Sequence, residues 1–518
     1  MARQASRGLA WLCGPGWLLV GLWLAFYLVV YGLYAYALVR FPFDYDQGEG
    51  YDVNSAWALA QGLPIYASPD QYPFYSSNYP PLYSLLLAPL VGVFGPRLAL
   101  GRLLSLVAVA VIAAVIFRAV QIETGRWRPA LFAALLFFAS PYVYHVTPLA
   151  RVNALMVALG LAAVYVLGRT ADAKSATGRQ WLALGGALLL AALYTKQMAV
   201  DAVAAALLYL ALRDLRLGLA LGSAVLLVGG AFYLGLDWLT AGGFSLNVLW
   251  ANANPFRWDQ AVAYYRNFLA IHPLLVVAAL AVILGRLRRG LRGLSVFSLY
   301  FLAALVVALG TGKWGAGESY FLAAIAAGCV LLGVALAWVE ARLDELGAAA
   351  GSSRAPGRRS AVAGGALACL VFVALFAQLR LFWHGPWSWP EWGAYDRGLQ
   401  AAVLGRLPTA ADSAAGRRIA GYVATATGDV LCEESAFALA ARRLVLGNAT
   451  QQRNLYEAGR HDPSALVSRL ERREVGVVVL NAQQYPSPVL AAIGQNYYVV
   501  EVVEMNGFRY LVMLPGGR

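Results

Sequence analysis

The chain has 518 residues, 60% hydrophobic and 13% charged, with a mean hydropathy of +0.61, which is too apolar for a soluble globular protein of this length. Its formal net charge of +13 falls mostly in short connections between apolar runs, as expected of loops beside an anionic membrane, so nucleic-acid binding is excluded as its purpose. Cys13, Cys329, Cys369 and Cys432 share no close spacing, so neither a disulfide framework nor a zinc site is supported.

Arg3 and Arg7 precede an apolar stretch from Leu9 to Val39, longer than a signal-peptide core and without a convincing cleavage site, so it is predicted to remain as a first transmembrane helix. Apolar runs of about 20 residues predict further spans near 99–120, 128–147, 150–169, 180–195, 198–212, 216–238, 267–287, 293–311, 319–340 and 361–383. With the first, that gives a polytopic α-helical protein of about eleven helices. Placing the N-terminus in the cytoplasm puts Arg286, Arg288, Arg289 and Arg292 inside, as the positive-inside rule requires. The run 80–95 is about 16 residues, below a comfortable span, and reads as an interfacial or re-entrant helix. A large first outer loop then covers 40–98 and holds an amphipathic segment at 51–61.

The transmembrane part is expected to end at 383, and 384–518 to form a small soluble α/β domain on the outer side. Segments 429–432, 443–446 and 475–480 read as buried strands, 463–473 as a helix, and 497–505 with 508–514 as a hairpin about Asn506-Gly507. No Gly-rich nucleotide or phosphate loop occurs there. The expected location is the inner (plasma) membrane, with the C-terminal domain extracytoplasmic.

Asp44-Tyr45-Asp46-Gln47-Gly48-Glu49-Gly50, followed by Asp52, gathers carboxylates beside the first span. Acidic groups next to a bilayer are costly unless solvated, paired or used, so this cluster is the expected chemical centre. Asp52 reads as a helix cap for the segment beginning near Tyr51. His145 and His272 end apolar spans without ligand spacing to another His or Cys and read as interface residues.

Several segments together resemble the first outer loop of bacterial C-type (GT-C) glycosyltransferases related to family 39, which includes protein mannosyltransferases and the lipid A aminoarabinose transferase. They are Asp46-Gln47-Gly48-Glu49-Gly50, Ala58-Leu59-Ala60-Gln61-Gly62 with Ile65-Tyr66, Asn78-Tyr79-Pro80-Pro81-Leu82-Tyr83, and Phe94-Gly95-Pro96 leading to Gly101-Arg102-Leu103-Leu104-Ser105. Ser140-Pro141, Ala150-Arg151-Val152-Asn153, Thr195-Lys196-Gln197 and Lys313-Trp314-Gly315-Ala316-Gly317-Glu318-Ser319-Tyr320-Phe321 are similar to later motifs of that group.

The resemblance implies transfer of a sugar from a polyprenyl-phosphate donor to a glycan, lipid or protein acceptor at the outer membrane surface. It assigns Asp46 as the base, with Glu49 as its partner and Asp44 as a substitute. The cations expected to meet the donor phosphate are Lys196, Arg151, Lys313 and Arg102, and Asn78, Tyr79 and Glu318 complete the substrate-contacting set. Asn153 stands where the family often has an acid. No cofactor is expected and metal is left unassigned. A transporter or lipid flippase is the alternative, but it favours midplane charges and two similar halves, neither of which this sequence shows. An O-antigen polymerase or ligase would lack these first-loop motifs.

Overall fold

The computed structural model describes residues 2–45, 48–170, 175–350, 356–382 and 406–516, with backbone alone at 2–13, 176, 350 and 356–358. Each apolar run read as a span is helical. Among the described residues, five helices are long and apolar enough to cross a membrane, or six if one bent pair counts as a single span. That is fewer than the predicted runs, because some form shorter helices such as Trp127–Ala139 and Val152–Gly168. The Glu318–Ala349 span is the centre of the bundle, 83% buried over its apolar window, whereas Leu215–Leu239 is 11% buried and lies at the edge.

Two predicted continuous helices are broken, each where proline removes a backbone donor. The run 128–147 divides at Ser140 into Trp127–Ala139 and Pro141–Val146. The run 267–287 falls across Trp258–Ile271 and Pro273–Leu287, which meet at 88°. At this second break the side chain of Gln378 donates to the carbonyl of Ile271 (2.6 Å) and accepts from the amide of Leu274 (2.9 Å), replacing the helical bonds lost at Pro273.

In the first loop, helix Glu49–Ala60 matches the amphipathic segment and Leu82–Phe94 matches the short apolar one. The C-terminal part forms a four-stranded sheet in the order β1-β2-β4-β3, with β1 Asp429–Cys432, β2 Val475–Leu480, β3 Tyr497–Met505 and β4 Phe508–Pro515. β1 and β2 are parallel, and β4 is antiparallel to both β2 and β3. Asn506 and Gly507 both take positive φ, 55° and 80°, which a two-residue hairpin turn requires. The expected helix is present as Ser464–Glu471.

The segment 443–446 is not a strand. Its buried Val445 and Leu446 lead to Gly447, whose amide donates to Pro73 O (3.0 Å), so this stretch packs on the first loop rather than joining the sheet. The predicted boundary at 384 lies outside the described residues. What the described residues show is close docking: Tyr51 donates its hydroxyl to Glu433 O (2.8 Å), Gln452 Nε2 to Phe74 O (3.0 Å), and Asn454 Nδ2 to Ala251 O (3.1 Å).

Candidate active site

The first loop is built around one ion pair. Arg102, near the start of Leu98–Thr124, meets Glu49 in a bidentate contact, Nε and Nη2 each 2.8 Å from a carboxylate oxygen, with both side chains 0% exposed. Its remaining donors go to the carbonyls of Leu38, Phe41 and Phe43. Glu49 also accepts from the amides of Ala150 (2.7 Å) and Tyr45 (2.9 Å). Burial alone would raise the Glu49 pKa, but the Arg102 charge and these hydrogen bonds hold it below the usual carboxylate value. A planar guanidinium with five donors suits this role.

Asp44 is buried beside this pair. It accepts from Gly50 N (2.6 Å) and from Ala436 N of the C-terminal region (2.9 Å), so it ties the loop to that region. Burial, followed by the Glu49 charge, pushes its carboxyl up to about 7. Asp46 lies outside the described residues.

A cavity of about 520 Å³ opens on the other side of helix Glu49–Ala60. Asp52 and Gly48 line it, with Asp52 Oδ2 3.1 Å from Arg151 Nε. Gly48 has φ +98°, a conformation that favours glycine, and a Cβ there would push on the Arg151 guanidinium. Arg151 Nη2 donates to the Tyr79 hydroxyl (3.2 Å). Burial raises the Asp52 carboxyl to about 6 against the opposing charges of Arg151 and Lys196.

Lys196 occupies the turn between helix Ala176–Leu193 and the next helical segment. Its ammonium donates to Asn153 Oδ1 (2.7 Å) and lies 5.4 Å and 5.2 Å from the ring centroids of Tyr79 and Tyr320. Burial, and then the like charge of Arg151, lowers its pKa to about 7. Asn153 thus serves Lys196 at the position where an acid was the alternative. Lys313, Glu318 and Asn78 complete this wall; Glu318 Oε1 stands 3.9 Å from His145 Nδ1 and Asn78 O accepts from Asn252 Nδ2 (2.8 Å).

Of the residues singled out in the sequence, Asn78, Tyr79, Arg151, Lys196, Lys313 and Glu318 converge on the cavity. Glu49, Asp44 and Arg102 do not line it and hold the loop instead. Sequence reasoning missed Gly48, the cavity-facing place of Asp52, and a set of neutral polar groups that includes Asn252, Asn254, Asn448, Thr450, Asn454 and Gln484. The amide-rich runs around 252–254 and 448–454 were the available signal. The last four come from the C-terminal region, where Glu433 accepts from the amides of Asn481, Ala482, Gln483 and Gln484 and fixes the loop that presents Gln484. Among the described residues, no three His, Cys, Asp or Glu side chains gather as a metal site would need.

A family model for dolichyl-phosphate-mannose-protein mannosyltransferase matches residues 78–236. No curated protein matches the chain significantly. Among solved structures, the chain is similar to ArnT from Cupriavidus metallidurans in the apo state, with 18% identity, 97% of this chain and 99% of that chain covered, and a TM-score of 0.61. ArnT from the same organism bound to undecaprenyl phosphate is similar at 17% identity, 98% and 100% coverage and a TM-score of 0.58. The archaeal oligosaccharyltransferase AglB from Archaeoglobus fulgidus, in complex with an inhibitory peptide and a dolichol-phosphate, follows at 12% identity, 92% and 73% coverage and a TM-score of 0.53. The chain has the GT-C fold, joined to a small C-terminal sheet.

Proposed function

We propose that this protein transfers a sugar from a polyprenyl-phosphate-linked donor to a glycan, lipid or protein acceptor at the membrane surface. The observation that supports this most is the cavity itself: Arg151, Lys196 and Lys313 gather at the ends of apolar helices, under a wall of amides and hydroxyls. A lipid phosphate meets fixed cations there, while a sugar meets neutral hydrogen-bonding groups. ArnT has been solved with undecaprenyl phosphate and AglB with dolichol-phosphate, and both have the same fold.

The reaction needs one carboxylate. As the acceptor hydroxyl attacks the anomeric carbon, its proton passes to that base, the bond from the anomeric carbon to the phosphate oxygen breaks, and polyprenyl phosphate leaves with the electron pair. Asp46 is assigned as the base, two residues before Gly48 of the cavity wall. Lys196, Arg151 and Lys313 receive the phosphate, and Asn78, Tyr79 and Glu318 position the sugar or acceptor. The cavity side is assigned to the extracytoplasmic face of the plasma membrane, with the N-terminus in the cytoplasm and 384–518 a soluble outer domain. The clustering of charge at helix ends, rather than at a midplane, favours this reading over a transporter.

Two results are expected. Lys196→Met should weaken donor use about ten- to hundredfold in a reconstituted transfer assay, the cost of losing a charge-assisted contact. Arg128→Met, in the first turn of Trp127–Ala139 at the opposite end of the bundle, should leave it unchanged. Equal and negligible losses would assign Lys196 to anchoring.

The second concerns pH. With its carboxyl raised to about 6, Asp52 carries the charge that pairs with Arg151 above that pH and loses it below. Transfer, measured as kcat/KM, should therefore fall as pH drops through about 6, and Asp52→Asn should show low activity without that acid limb. An unaltered limb in the variant would remove Asp52 from the account.

A further inference from the structure

A second cavity, of about 530 Å³, lies at the far end of the same helices. Helix Val152–Gly168 bears Asn153 beside the first cavity and is followed by Arg169 at the second. The separation of these two residues along the helix is about 24 Å at the helical rise, close to the thickness of a bilayer's hydrocarbon core. The two cavities therefore lie at opposite ends of the helix bundle.

Arg169, Arg213, Arg286 and Arg289 line the second cavity against a single carboxylate among the described residues, Glu123, which pairs with Arg286. Arg213 and Arg169 are held by neutral groups. Arg213 sits 3.6 Å above the Tyr209 ring and donates to the carbonyls of Arg292 (3.1 Å) and Leu294 (3.0 Å). Arg169 donates to the Tyr165 hydroxyl (3.0 Å) and lies 5.5 Å from the Trp181 ring centroid. These contacts fix the guanidinium groups without neutralising them. Cations at helix C-termini complement the helix dipole, which accounts for Arg169, Arg213 and Arg286 singly. It does not account for their convergence, with Arg289 from the following turn, on one cavity. The cavity is also apolar on one side, where Ile122 and Trp338 are each 47% exposed.

We propose that this cavity is a binding site for the phosphate headgroup of an anionic membrane lipid, with an acyl or prenyl chain lying along Ile122 and Trp338. Arginine suits phosphate through paired N–H donors, and basic pockets between membrane helices accept such headgroups. A glycerophospholipid and a polyprenyl phosphate present the same chemistry. The inference does not depend on sugar transfer.

Native mass spectrometry of the full chain in neutral detergent tests it, with phosphatidylglycerol, undecaprenyl phosphate, phosphatidylcholine and inorganic phosphate as separate probes. Phosphatidylglycerol or undecaprenyl phosphate should be retained in preference to phosphatidylcholine, and whichever is held more tightly identifies the source. The double variant Arg169→Gln/Arg289→Gln, at two exposed positions, should bind that lipid about tenfold or more weakly. Arg169→Lys/Arg289→Lys, which keeps the charge, should retain most of the binding, and Lys196→Met should leave the Arg169- and Arg289-dependent part intact. Parental binding by the Gln variant, equal retention of phosphatidylcholine, or inorganic phosphate bound as tightly as either lipid would overturn the proposal.

Discussion

Asp46→Asn is expected to lower sugar transfer by about 10²–10⁴ while leaving the protein inserted and folded, the usual cost of removing a general base. The reasoning combines chemistry with the described neighbours. Gly48, two residues on, lines the cavity beside Arg151, whereas Glu49 is turned away into its contact with Arg102. Asn keeps the size and hydrogen-bonding capacity of Asp but has no basic oxygen, so the substitution separates proton abstraction from loop architecture. Turnover is to be measured with purified lipid-linked donor, alongside a melting curve. Near-parental turnover in Asp46→Asn with an inactive, stably folded Asp52→Asn would move the base to Asp52, three residues from the Arg102 partner but inside the cavity. Activity in both variants would sink the catalytic reading of this loop.

The apolar runs and the small C-terminal sheet were legible because each depends on local composition: a run of about 20 apolar residues is long enough to span, and alternating short runs with Asn506-Gly507 signal a hairpin. The breaks at Ser140 and His272 were marked only by the prolines that follow, while apolar content continued unbroken across them. The stretch 443–446 has strand composition but spends its burial on Pro73 and the first loop, a partner far away in sequence.

The same limit governs the site. Glu49 and Asp52 lie one turn apart on one helix, and their flanks, Gly48 and Gly50 for the first and Tyr51 and Val53 for the second, do not name the cation that each will meet. Glu49 finds Arg102 and Asp52 finds Arg151, partners that only folding brings near. Arg151 and Lys196 were readable as cations between apolar runs, but the Asn153 bond to Lys196 and the amides arriving from 448–484 depend on docking of the C-terminal region.

Glu49→Gln and Arg102→Met are expected to fail chiefly by losing stability. Breaking a buried pair leaves an uncompensated charge, at a cost of about 3–5 kcal/mol. The loss should be larger for Arg102→Met, because Arg102 also donates to three backbone carbonyls, whereas in Glu49→Gln those bonds survive. In the double variant Glu49→Gln/Arg102→Met no charge is stranded, so its loss should be smaller than the sum of the two single losses, the signature of direct coupling. Thermal unfolding in detergent, followed by intrinsic fluorescence and by size-exclusion profile, provides the three values. A Glu49→Gln protein that melts like the parent yet transfers no sugar would contradict this assignment and return Glu49 to the chemistry. A parental melting curve for Arg102→Met would mean that the loop is held elsewhere, for which the Asp44 contact to Ala436 is the next place to cut.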